Sequence, residues 1–157
     1  MKLYKTMGIV ISLVLISAGA IWAGNVLDTD MEEPGKIVQA RKTAMHAIKL
    51  NMDDANVKAK NKNLKNIQAN AIAVDALARI LPPLYKDAHK GAYDGTGVFY
   101  KGAPSMEIEK ISNGLSDAAQ IMLSGASGED SKLIKDGIGK VYQTCGACHK
   151  KYRGKFK

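Results

Sequence analysis

Gln143-Thr144-Cys145-Gly146-Ala147-Cys148-His149-Lys150 sets two thiols and an imidazole in a C-x-x-C-H run, the spacing by which a c-type haem is attached. The thiols of Cys145 and Cys148 can add across the porphyrin vinyl groups to give thioethers. The imidazole of His149 is then placed to meet the iron as its proximal axial ligand. On a helix, Cys145 and Cys148 are an i, i+3 pair and His149 is i+4 from Cys145, so all three project from one side. Two other chemistries share part of the pattern. A dithiol redox pair belongs where a strand leads into a helix, but the residues before Cys145 are helix-like. A structural zinc site takes about four Cys or His ligands, and only His46 and His89 lie outside the motif to complete one. Both cysteines of the chain are used by the motif, so no disulfide framework competes for them.

The opposite end of the sequence bears on the compartment. Lys2 and Lys5 precede an apolar run from Met7 to Ala23, with small residues at Ala18-Gly19-Ala20 and Ala23, the layout of a secretory signal. Residues 1–23 are expected to be a signal peptide. An uncleaved anchor is the alternative, although the run is shorter than the roughly 20 apolar residues of a membrane span; membrane attachment is expected only in that case. Covalent haem attachment in bacteria belongs outside the inner membrane, so the expected location is the periplasm. Residues 24–157 then make about 134 residues, enough for one domain with one core.

The whole sequence carries 23 Lys and Arg against 15 Asp and Glu, a formal +8. Without Lys2 and Lys5 the balance is about +6, and two haem propionates bring it to about +4. A modest positive surface suits an acidic redox partner protein or an anionic membrane surface. Nucleic acid is not the expected partner, because the cations are spread along the chain with no aromatic ladder among them.

The elements that must position the motif read as four amphipathic helices, with no strand patterning. The first spans about residues 33–52, with Pro34 in its first turn and Val38, Met45, Ile48 and Met52 facing a core or a haem. The second spans about 61–81, where Leu64, Ile67, Ala71, Val74, Ala78 and Leu81 repeat at three- and four-residue steps. Pro82-Pro83 ends it, and residues 84–103, rich in Gly, Tyr, Asp and Lys, form the one long connection. The third spans about 104–123 and presents Ile108, Ile111, Leu115, Ala118 and Met122. Residues 124–128 make a short turn, and Ser127 with Asp130 resembles a capping box. The fourth spans about 129–152 and carries Leu133, Ile134, Ile138, Val141, Cys145 and Cys148. Two short turns and one longer crossover predict an all-α, antiparallel four-helix bundle able to hold a cofactor between facing helices.

A haem motif late in a four-helix chain resembles the class II cytochromes c, the cytochrome c-prime family. Val141 to Arg153 looks like the family's closing helix, including the Tyr152-Arg153 pair after the histidine. Val38-Gln39-Ala40-Arg41-Lys42-Thr43-Ala44-Met45 looks like its first helix, where an Arg is followed four residues later by the residue facing the distal side of the iron. One departure lies between them. The family often has a Trp where the third helix opens, whereas this chain reads Ala103-Pro104-Ser105-Met106 and has its single Trp at position 22.

The resemblance implies one covalent haem c and gives roles to four further positions. Gas-binding members carry a nonligating apolar residue, usually leucine, at the distal position; here it is Met45. A ligating thioether gives low-spin His/Met iron and a raised reduction potential, a pattern that resembles the cytochrome c-556 type. Met is also a common gap filler in helical cores. His46 is the other candidate ligand, but neighbours on a helix point about 100° apart, so both cannot face the iron. Arg41 resembles a propionate partner, and Arg153, one turn past His149, a pocket or propionate contact. The expected function is a periplasmic monohaem electron carrier with no catalytic residues and no substrate chemistry of its own, a monomer or a homodimer. The alternatives are a five-coordinate cytochrome c-prime that binds nitric oxide or carbon monoxide, and, more remotely, a thiol oxidoreductase using Cys145 and Cys148.

Overall fold

The structure, a computed structural model, describes residues 34–85 and 98–155. The expected signal peptide lies outside the described residues. Helix α1 is Pro34–Lys60, 27 residues long. It runs past Met52 because the apolar phase continues through Ala55, which is fully buried, and Ala59, which packs on the same cluster. Lys58 and Lys60 sit in its last turn, where cations complement the helix dipole. Lys62 then takes a left-handed conformation (φ 58°), and the N–H of Asn63 closes onto the Lys58 carbonyl at 2.9 Å.

A single 3-10 turn (Lys65–Ile67) leads into α2 (Gln68–Arg79). The expected stop at Pro82-Pro83 falls earlier, at Ile80. The two prolines lie inside a four-residue helix, α3 (Leu81–Leu84), where their missing N–H groups leave no helical bond unmade. Helices α4 (Ser105–Ser127) and α5 (Ser131–Tyr152) follow. The cap of α5 is Asp130 alone: its carboxylate accepts from the Lys132 and Leu133 N–H groups at 2.8 and 3.1 Å. Ser127 remains within α4, so the Ser127–Asp130 capping box does not form.

The four long helices pack in a ring, α1 on α2, α2 on α4, α4 on α5 and α5 on α1. The contacts fix an antiparallel sense for α2 and α4: Ser112 donates to the Ala78 carbonyl at 2.7 Å, while Gln120, two turns further along α4, reaches Asp75, earlier in α2, at 3.0 Å. The closest approach is between α4 and α5. A Cβ added at Gly137 would lie 2.6 Å from the Met122 backbone nitrogen, and one at Gly125 would lie 2.7 Å from that of Ile134. Glycine at these two positions lets the backbones meet.

The chain also forms a small sheet that the absence of strand patterning did not announce. β1 (Val98–Tyr100) pairs antiparallel with β2 (Arg153–Lys155), with Tyr100 opposite Arg153. Three-residue strands are too short to show an alternating pattern. Their pairing continues at Lys101, whose N–H donates to the Tyr152 carbonyl at 2.9 Å. The ribbon ties the end of the long connection to the end of α5.

The main core runs down the bundle and includes Ile48, Met52, Ile67, Ala71, Val74, Ala78, Leu115, Ala118, Met122, Ile134, Ile138 and Val141, the positions predicted from periodicity. Ile37, Ala44, Ala55, Ala119 and Ala126 join it. A second, smaller cluster of Tyr100, Ala103, Ile108 and Tyr152 lies at the end of the bundle that carries the motif.

Candidate haem site

Helix α5 is held by Ile134, Ile138 and Val141 in the main core. The same phase brings Cys145 and Cys148 to the edge of the packed interior, both free thiols and both partly buried. Cys145 packs against the main cluster and Cys148 against the second. The motif therefore spans the junction between the two apolar regions. His149 is exposed on the same helix, and its carbonyl accepts the Arg153 N–H that closes α5.

The protonation states run against dithiol redox chemistry and suit an imidazole ligand. Burial raises the Cys148 thiol to about 11, with the neighbouring Cys145 adding to the effect, and burial raises the Cys145 thiol too. Redox-active C-x-x-C pairs work through a lowered thiol pKa, so these shifts run against a thiol oxidoreductase. Although the residue is exposed overall, partial desolvation of the His149 ring, together with the Arg153 charge, lowers its pKa and favours the neutral imidazole that an iron ligand must be. Among the described residues no group of three or more His, Cys, Asp or Glu side chains is arranged to hold a bare metal ion. The donor set thus fits a haem, which brings its own iron and needs from the chain two thiols and an imidazole. When bound, that group supplies the redox and ligand-binding chemistry.

On α1, Arg41 and Met45 occupy successive turns. Met45 is partly buried and packs against the main core, while its neighbour His46 is exposed. Arg41 is buried, at 6% exposure. Its Nε donates to the Leu84 carbonyl at 2.7 Å, and its guanidinium lies over the Tyr85 and Tyr100 rings at 4.7 and 4.8 Å. The two rings meet edge to face at 5.2 Å, and the Tyr100 hydroxyl donates to the Tyr85 carbonyl at 2.8 Å. Burial lowers the Arg41 pKa against the opposing influence of the two tyrosines, and burial pushes Tyr85 up to about 12. The Arg153 side chain is exposed on β2. At the start of α4, Glu107 accepts from both Tyr152 and Lys151 at 3.0 Å, joining α4 to the last turn of α5. Sequence reasoning missed Tyr85, Tyr100 and Tyr152 as a group. The one available signal was the tyrosine content of the long connection, which does not reveal that its ends meet.

A bundle of four long helices with this motif on the last of them defines a haem-binding helical bundle of the c type. The match to the family model described as Cytochrome C' covers residues 36–153, and the chain belongs to that family. The family binds one covalent haem c, and Cys145 and Cys148 are the two cysteines present for it.

Solved structures agree in fold. Cytochrome c' from Thermochromatium tepidum is 22% identical with a TM-score of 0.66, covering 78% of this chain and 97% of its own. A ferrous variant of cytochrome c prime from Alcaligenes xylosoxidans with bound nitric oxide is 17% identical, with a TM-score of 0.63 and coverage of 80% and 98%. A cytochrome c' described as having an unusual ligand-controlled dimer dissociation is 23% identical, with a TM-score of 0.64 and coverage of 78% and 98%. No curated protein matches the sequence. These comparisons support the class II family and do not single out the c-556 type.

Proposed function

We propose that this chain is a monohaem cytochrome c' with Cys145 and Cys148 as the covalent attachment points and His149 as proximal ligand. We further propose that its distal face, bounded by Met45, admits a diatomic gas. Membership of the cytochrome c' family carries this reading, and the nitric oxide complex of a structural neighbour supports it. The packing of Met45 against the main core supports reading it as an apolar wall, as expected of a gap-filling Met.

A second reading rests on the residue type at that position. A thioether that reaches the iron fills the sixth site and raises the potential, which describes a single-electron carrier. Carbon monoxide titration of the ferrous protein, followed optically and by spin state, separates the two. High-spin iron that takes the gas readily supports the first reading. Low-spin iron whose spectrum carbon monoxide does not shift overturns it in favour of Met45 ligation, and Met45→Leu then converts the second behaviour into the first.

The expected export to the periplasm is supported by the layout of residues 1–23 and by the compartment of covalent haem attachment. Among the described residues, no helix is long and apolar enough to cross a membrane. Assembly as a homodimer is supported by the dimer recorded for a structural neighbour and by the exposed Leu50 and Val57 of α1 and Ile72 of α2. Sedimentation of the holoprotein tests it.

A further inference from the structure

The Arg41 guanidinium joins three parts of the chain that are distant in sequence. It leaves α1 one turn before Met45, donates to the Leu84 carbonyl at the end of α3, and lies against Tyr85 and Tyr100. Tyr100 is the last residue of β1 and pairs with Arg153, four residues after His149. Tyr85 and Cys148 both pack on the second cluster. A buried charge is retained at a cost unless its surroundings replace water, and here a carbonyl and two aromatic faces are part of that replacement. The planar guanidinium suits such stacking, whereas an ammonium is compact and more strongly hydrated.

We infer that Arg41 is a positioning residue: its clamp on Tyr85 and Tyr100 fixes the α1 turn that carries Met45 relative to the β1–β2 ribbon and the end of the haem-attachment helix. The clamp thereby sets the access of an incoming gas to the distal face. This rests on the gas-binding reading for its consequence and on haem attachment alone for its detection. A direct propionate contact, which the family resemblance implies for Arg41, would not require Tyr100.

The test is a mutant cycle on the holoprotein, read in the rate of carbon monoxide association to the ferrous haem, with haem content and helix content checked for each variant. Arg41→Gln and Tyr100→Ala are each expected to change the rate about tenfold, and the double variant no more than the larger single change, because coupled positions are not additive. Arg41→Lys keeps the charge but loses the planar stack and is expected to behave like Arg41→Gln. Tyr100→Phe keeps the ring and is expected to stay within about twofold of wild type.

Additive effects, or full rescue by Arg41→Lys, overturn the inference in favour of a charge acting directly. If the wild-type ferrous protein takes no carbon monoxide, the gas-binding reading fails while the clamp is still read, in the midpoint potential. There Tyr100→Ala, which removes no charge, is expected to reproduce the Arg41→Lys shift. A Tyr100→Ala potential equal to wild type overturns the clamp on this readout as well.

Discussion

The two apolar clusters of this bundle are built differently, and the motif lies where they meet. The main core is aliphatic, threaded by Ile, Leu, Val, Ala and Met from all four long helices. Its polar supports lie on the bundle flanks. Asn70 of α2 accepts from Lys58 and donates to Asn51 and Asp54 of α1, and Asp75 of α2 is held by Ser116 and Gln120 of α4. The second cluster is dominated by tyrosines, draws on the long connection and the end of α5, and adjoins a buried charge. The first region specifies the fold by volume and periodicity. The second fastens the helix ends around Cys148 and His149 through aromatic, cation–π and hydrogen-bonded contacts, which set orientation as well as proximity.

The largest effect that can test this division is loss of the covalent haem. Replacing both Cys145 and Cys148 by Ala is expected to abolish covalent attachment, shown by complete extraction of the haem under acid. Most of the helical circular dichroism should persist, since α5 keeps Ile134, Ile138 and Val141 in the main core. Collapse of the helix signal would show that the aliphatic core does not carry the fold without the site.

Next is Ile134→Ala, which hollows the main core at a fully buried side chain. It should cost about 2–5 kcal/mol in denaturant unfolding and leave the haem spectrum of the folded protein unchanged. Gly137→Ala should cost about 1–3 kcal/mol, because its methyl would press on the Met122 backbone, which can yield only if α4 and α5 separate. A neutral result at Gly137 would mean that the two helices pack less closely than described.

A smaller effect is expected from pH. Burial pushes the Asp75 pKa up, but hydrogen bonds from Ser116, Arg79 and Gln120 outweigh it and hold the carboxyl below its ordinary 3.8. A depressed carboxylate contributes stability above its unfolded pKa and loses it as pH falls through the folded one. The advantage of wild type over Asp75→Asn should therefore be present at neutral pH and shrink below about pH 4. An advantage that does not change with pH would assign the contact to hydrogen bonding alone. The smallest effect belongs to the exposed Lys140–Asp136 pair: Lys140→Ala should change stability by no more than about 1 kcal/mol.

The sequence was most legible where one periodicity governs a whole element. The three- and four-residue steps of Ile67, Ala71, Val74 and Ala78, and of Leu115, Ala118 and Met122, give the buried faces of α2 and α4 directly, because burial of one stripe follows from helical geometry. The ends of elements were less legible. Ala55 and Ala59 extend α1 through small residues that weigh little in an apolar pattern, and the Ile80 break precedes the prolines that were expected to cause it.

Within the candidate site, the motif of Cys145, Cys148 and His149 was legible because five adjacent residues contain the whole pattern. The setting of Arg41 was not. Its contacts come from Leu84, Tyr85 and Tyr100, between 43 and 59 positions away, and a stack assembled by tertiary packing leaves no spacing rule in the chain. The ribbon of β1 and β2 was hidden for the same reason, each strand's ladder partner lying far away in the sequence.

The proposed cytochrome depends on a haem held by His149 on one side and open on the side of Met45. Resonance Raman spectroscopy of the purified ferrous protein counts the iron ligands directly. An open distal face predicts high-spin, five-coordinate iron with an iron–histidine stretching band. A six-coordinate, low-spin spectrum that reverts to five-coordinate in Met45→Leu would contradict it and assign Met45 to the iron.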